Sequence, residues 1–279
     1  MSRPLYFRLC VVSLSALLVL GGEGCEGTTA NFLRGTVTLY PTAQKNYDAG
    51  LRELKASNWM AAVQYFTHVR TNFGFSKWAT MAELGIADAN VGRDKYTEAI
   101  DGYKTFIKAH PGHEHVQDGY AAFKIGECYH KQIPGDWILA PPSYEKDQGP
   151  VLDALRELQA FADQYPASPY VAKGRKMIGE CVRRLTDHEL YVARFYLDRD
   201  KPYAAIGRLE SVLREYPGGE REPEALLLLG KTYIQMKKLD RAREVFWKLA
   251  NDHATDYRAQ KGKLYIEFLD KQKAEPPKK

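Results

Sequence analysis

His110, His113 and His115, grouped around Pro111 and Gly112, are the densest set of chemically capable side chains in the sequence. Imidazoles at this spacing suit zinc, but a zinc site needs ligands fixed in geometry together with further partners. No H-E-x-x-H follows, there is no Walker sequence, and no G-x-S-x-G nucleophile elbow occurs. Carboxylate pairs occur only as ordinary helix-surface charges. The cluster lies in a turn between two helical units, where solvated histidines are the expectation. The sequence thus predicts no catalytic residue, metal or cofactor. An enzyme working through the histidine cluster is one alternative, decided by whether metal-free protein takes up stoichiometric zinc.

Cysteine is the other reactive residue type, and there are 4. Arg3 and Arg8 followed by the apolar stretch Leu9–Leu20 read as an export signal, too short to span a bilayer, for which about 20 residues are needed. Gly21-Gly22-Glu23-Gly24-Cys25 resembles a bacterial lipobox, which makes Cys25 the expected lipidation site; Gly22 and Glu23 depart from the usual Leu and small residue there. Cys10 leaves with the signal. Cys128 and Cys181 sit in the same tetrapeptide, Ile-Gly-Glu-Cys, which places them at equivalent sites on two stacked helices. Such helices lie about 8–10 Å apart, whereas a disulfide needs Cα atoms within about 7 Å, so two packed thiols are expected.

These residues must be positioned by a repeat. Pro223–Ala254 reads as two amphipathic helices: Leu226, Leu229, Gly230 and Tyr233 recur on one face, then Ala242, Phe246 and Leu249 on the next. Gly230 and Ala242 are small where the helices cross. The same register recurs from Ala62 (Phe66, Val69), Ala99 (Tyr103, Phe106), Ala154 (Leu158, Phe161) and Ala205 (Leu209, Val212), each closed about twelve residues on by Gly74, Pro111, Pro166 or Pro217. This is the tetratricopeptide (TPR) pattern of stacked helical hairpins. The expected fold class is all-α, a TPR solenoid of about five repeats. The 18 Tyr and 11 Phe fall at repeat positions, so core packing is their first reading. The net charge of +5 is small and no basic stripe interleaves with aromatics, which argues against nucleic acid.

The expected organisation is a signal peptide over 1–24, a tether over 25–42, three N-terminal repeats over 43–168, and a C-terminal half with a capping helix over 169–269. A charged tail, expected to be disordered, fills 270–279. Residues 131–149 form an insertion in the third repeat. Pro134, Pro141 and Pro142 forbid a regular helix there, and the apolar Trp137, Ile138 and Tyr144 either fold back on the repeats or meet a partner. Pro169–Arg199 reads as one helix of about 45 Å joining the two halves. In the cap, Arg258, Lys261 and Lys263 supply a polar outer face.

The Cys25 anchor, the repeat ends His110-Pro111, Tyr165-Pro166 and Tyr216-Pro217, the insertion before Asp147-Gln148, and the runs Glu189–Tyr196 and Arg208–Pro217 together resemble the BamD (ComL/YfiO) family of outer-membrane assembly lipoproteins. The resemblance covers about residues 40–255. It implies a lipid-anchored subunit on the periplasmic face of the outer membrane, acting without bond chemistry. The implied partners are the POTRA domains of a BamA-like barrel protein, other assembly lipoproteins and unfolded outer-membrane proteins. By position, Arg208 matches the family arginine that pairs with a POTRA acidic residue. By helix register, Tyr47, Leu51, Leu84, Asp88, Tyr120, Phe123 and Glu127 are expected to line a client-peptide groove, with Tyr120 or Phe123 receiving an aromatic ring. A periplasmic TPR scaffold for envelope or pilus complexes is the other interaction reading.

Overall fold

The alanine register fixes where each hairpin turns. The structure, a computed structural model, describes residues 37–135 and 141–274. All regular structure among them is helical. The expectations for the signal, for Cys25, for Trp137 and Ile138, and for residues 275–279 lie outside the described residues. The first two repeats are α1 (Ala43–Lys55) with α2 (Trp59–Asn72), and α3 (Lys77–Gly92) with α4 (Tyr96–Ala109). A single-turn helix α5 (Glu114–Gln117) leads into α6 (Tyr120–Lys131), which pairs with α7 (Gly149–Gln164). The long α8 (Val171–Leu197) is followed by α9 (Pro202–Glu215), then α10 (Glu222–Gln235), α11 (Leu239–Asp252) and α12 (Tyr257–Ala274). Every helix from α1 to α4 and from α6 to α12 packs on its neighbour in this series. In addition α1 packs on α3, α6 on α8, and α10 on α12. These are the nearest-neighbour contacts of a solenoid, and the described residues from Leu39 onward form one unit.

Local signals start the helices. Thr42 Oγ1 accepts from the Lys45 N–H and Ser76 Oγ from the Ala79 N–H, as N-caps do. Pro150, Pro202 and Pro223 stand in the first turns of α7, α9 and α10, where their missing N–H costs nothing. The fully buried Asn46 ties the entering chain to α1: its amide donates to the Tyr40 and Thr42 carbonyls and its Oδ1 accepts from the Tyr40 N–H.

The recurring triplets are the core. Ala62, Phe66 and Val69, and their counterparts in the other four repeats, are all 0–1% exposed. The glycines of the first helices receive the rings of the second. A Cβ on Gly50 or Gly85 would fall 2.6 or 2.8 Å from the Phe66 ring, and one on Gly230 would fall 2.5 Å from Phe246. The closeness expected at Gly230 is therefore filled by an aromatic ring.

Four hairpin turns share one conformation: Ser57, Asp94, Asp200 and Lys237 have φ between 53° and 62°, each five residues before its repeat alanine. The left-handed region costs a side-chain-bearing residue about 1–2 kcal/mol, which glycine avoids while losing some chain entropy. Lys237→Gly is therefore expected to stabilise the fifth repeat by roughly 0.5–1 kcal/mol, measured as a rise in the urea midpoint.

Two expectations need correction. The helix α12 runs on to Ala274, so Lys271–Ala274 is its last turn and not a disordered tail. Leu269 is buried, and the lysines of that turn suit the negative end of a helix. The cap is also less polar than expected, because Leu264 and Phe268 are about half exposed. Cys128 and Cys181 are free and buried, as stacked thiols should be. Burial pushes both up to about 11, so they stay protonated at neutral pH.

Candidate interaction surfaces

Where α3, α6 and the start of α8 meet, polar and aromatic groups form one connected surface. One Asp88 oxygen accepts hydrogen bonds from two phenols, Tyr103 at 2.6 Å and Tyr120 at 2.7 Å. Burial, reinforced by the Asp88 charge, holds both hydroxyls well above the usual phenol range, so they remain donors. The Tyr120 ring meets Tyr170 edge-on at 5.4 Å and His115 at 5.3 Å. Tyr170 also lies parallel to Phe123, at 5.4 Å and 12°. Lys173, one turn along α8, holds its ammonium 5.2 Å from the centre of the Phe123 ring and 2.6 Å from Glu127.

Glu127 is buried and takes a second ammonium from Lys124. Burial alone would raise its carboxyl, but the bonds from Lys124 and Lys173 outweigh it and hold the group below the ordinary carboxylate range. A depressed folded value means that the pairing stabilises fully above the unfolded value, about 4.3. That contribution is lost as the pH falls through the lower folded value. The side chain of Lys173 is 60% exposed, so its share is that of a surface pair, at most about 1 kcal/mol. Urea unfolding between pH 5 and pH 3 should show the loss, and Glu127→Gln should flatten it.

The structure brings Asp88, Tyr120, Phe123 and Glu127 together, but not all as surface. Phe123 and Leu84 are 2% and 4% exposed, buried between helices, so neither offers a face to a ligand. Tyr47 is buried too, tilted against Phe66 and Trp78, and the half-buried Leu51 packs in the same cluster. The accessible part of the surface comes from Tyr120, Tyr170 and Lys173. Neither Tyr170 nor Lys173 was predictable from repeat register, because both belong to the start of α8, beyond the third hairpin. Their sequence signal is the Ser168-Pro169-Tyr170 turn leading an aromatic ring back toward α6.

The histidines of the 110–115 turn are engaged locally. His110 lies 2.9 Å from Glu83, and His113 Nδ1 accepts from the His115 N–H at the start of α5. His115 faces Asp118 at 3.5 Å. Burial, with His115 adding to it, lowers the His113 pKa. No group of three or more metal-capable side chains is found among the described residues. On the second surface Arg208 is exposed on α9, with Nη1 3.3 and 3.4 Å from the two Glu189 oxygens.

Residues 41–249 match the family model YfiO, outer membrane lipoprotein. The chain belongs to this family. The match runs from just before α1 into the last turn of α11, and so takes in both surfaces. An outer membrane protein assembly factor BamD from Caulobacter vibrioides is 29% identical over 229 residues, covering 80% of this chain and 70% of that protein. The BamD of Neisseria meningitidis serogroup B is 26% identical, covering 84% and 85%. Among solved structures, the TPR2AB-domain:pHSP90 complex of yeast Sti1 shares 13% identity with a TM-score of 0.45, over 82% of this chain and 84% of that one. As a YfiO member the chain is a non-enzymatic scaffold of helical repeats. Among the described residues no helix is long and apolar enough to cross a membrane.

Proposed function

We propose that this chain is a lipid-anchored subunit of the machinery that assembles outer-membrane β-barrel proteins. In this reading Cys25 carries the acyl chains on the periplasmic face of the outer membrane. The N-terminal repeats hold an extended segment of an unfolded client, and the C-terminal repeats hold the POTRA domains of a BamA-like barrel protein. Family membership over 41–249 supports the assembly role. The observation that carries the client site is the aromatic surface of Tyr120 and Tyr170 with the exposed ammonium of Lys173 beside it. A client segment ending in an aromatic residue lays its ring against the two tyrosines and turns its carboxylate toward Lys173.

Fluorescence anisotropy with a labelled peptide ending in Phe tests this on the full chain in detergent. Tyr170→Ala should weaken binding about tenfold, one aromatic contact of roughly 1.4 kcal/mol. Equal affinity of the variant would remove the surface from the client site and leave the barrel-partner reading untouched.

A further inference from the structure

The line of rings at the client surface does not stop at Tyr120. From Tyr170 it runs through Tyr120 and His115 to His113, with centres 5.4, 5.3 and 5.5 Å apart. All four residues are half-buried, so each keeps an accessible part. The Phe106 ring meets His113 edge-on at 5.0 Å and holds it in place. The line thus passes from the start of α8, over the start of α6, to the turn that opens α5. It crosses the repeats instead of following one helix.

At its far end lies a cavity of about 400 Å³. His113 and Glu114 form one side, and Lys77, Trp78, Thr80 and Met81 at the start of α3 form the other. Trp78 and Met81 are half-buried and supply apolar surface. The Trp78 ring is fixed by Tyr47 at 5.1 Å and by the Lys77 ammonium at 4.9 Å. Burial lowers the His113 pKa, so its ring is uncharged at neutral pH. Lys77 and Glu114 carry opposite charges, which leaves the cavity without a net charge to draw in an ion. Met81, Leu84 and Asp88 lie at steps of three and four on α3 and share one helix face. Asp88 holds the Tyr120 hydroxyl, and Met81 stands about 10 Å along the axis from it. The cavity and the client surface therefore belong to the same side of the repeats.

Chain length decides which client side chain arrives there. From Tyr170 to His113 the rings span at most about 16 Å, which an extended chain rising about 3.3 Å per residue covers in five residues. Successive side chains of such a chain point to opposite faces, so the second and fourth residues before the end face the same way as the terminal ring. The fourth lies about 13 Å back, within reach of the cavity.

We propose that this cavity is a second client subsite, taking an apolar side chain four residues before the terminal aromatic residue. It rests on the client site proposed above and deepens it: the tyrosines anchor the terminal ring, and Trp78 and Met81 select what stands upstream.

Fluorescence anisotropy on the full chain in detergent tests this with three labelled peptides that end in Phe and are otherwise Ser and Thr. One carries Leu at the fourth place before the Phe, one carries Leu at the third, and one has no Leu. The first should bind about tenfold more tightly than the other two, the effect of covering one leucine side chain. Met81→Ser removes apolar wall and should bring the three within about twofold of one another. Tyr170→Ala should weaken all three and preserve the ratio. The comparison among peptides needs no variant, so it decides the matter even if Met81→Ser fails to fold. Equal affinity of the three, an equal gain from Leu at the third place, or a ratio that survives Met81→Ser would overturn the subsite, and the client site would still stand if Tyr170→Ala weakens binding. Failure of all three peptides to bind, or undiminished binding in Tyr170→Ala, would overturn both.

Discussion

Phe66→Ala is expected to destabilise the first two repeats by about 3–5 kcal/mol, the range for truncating a buried aromatic residue. The ring is fully buried, and its faces and edge are met by the backbones at Gly50 in α1 and Gly85 in α3. Glycines have no side chain to swing into the vacated volume, so the cavity persists. Tyr47 loses its tilted partner at 5.6 Å as well. In a solenoid each unit packs only on its neighbours, so the damage should be local. Hydrogen exchange should accelerate through α1, α2 and α3 while the amides of α10 and α11 keep their protection. Uniform loss across the chain would mean that the repeats unfold as one unit.

The second large effect concerns Arg208. Its pair with Glu189 is exposed, and such pairs contribute about 0–1 kcal/mol, so a carboxylate on a partner can replace Glu189 at small cost. Arg208→Glu would set a negative group beside Glu189 and against any acidic partner surface. On the proposed function it should weaken binding to the isolated POTRA domains of the barrel subunit by about 10–100-fold, the scale of a reversed charge at an interface. Its own melting temperature should barely move. Glu189→Gln frees Arg208 without reversing it and should leave binding intact. Unchanged affinity in Arg208→Glu would take this residue out of the interface.

The fold was legible in the sequence because a repeat states its core five times. Ala62, Ala99, Ala154, Ala205 and Ala242, with the apolar residues four and seven positions on, mark the buried stripe of each second helix by periodicity alone. The left-handed turns were hidden, since that conformation is read from Gly or Asn and here falls on Ser57, Asp94, Asp200 and Lys237. The candidate groove was legible only in part. Register placed Asp88 and Tyr120 on facing first helices, and their hydrogen bond joins them. It could not tell Phe123, which turns inward, from Tyr120, which keeps an accessible edge, because both lie on the same apolar helix. Tyr170 and Lys173 arrive from the start of α8, beyond the third hairpin, and only the Ser168-Pro169-Tyr170 turn marks that approach. The third-repeat insertion is similar: Arg184 and His188 have helical spacing, but the carbonyls they hold, those of Pro134 and Tyr144, are 50 and 44 residues away in the chain.

The central claim, that this chain serves β-barrel assembly at the outer membrane, is tested most directly by purifying the tagged full chain from native membranes in gentle detergent and identifying its partners by mass spectrometry. The account predicts a barrel protein with POTRA domains in stoichiometric amount, retained by Glu189→Gln and depleted by Arg208→Glu. Recovery of cell-wall or pilus proteins in its place, with no barrel subunit, would contradict the account and leave a periplasmic scaffold built on the same repeats.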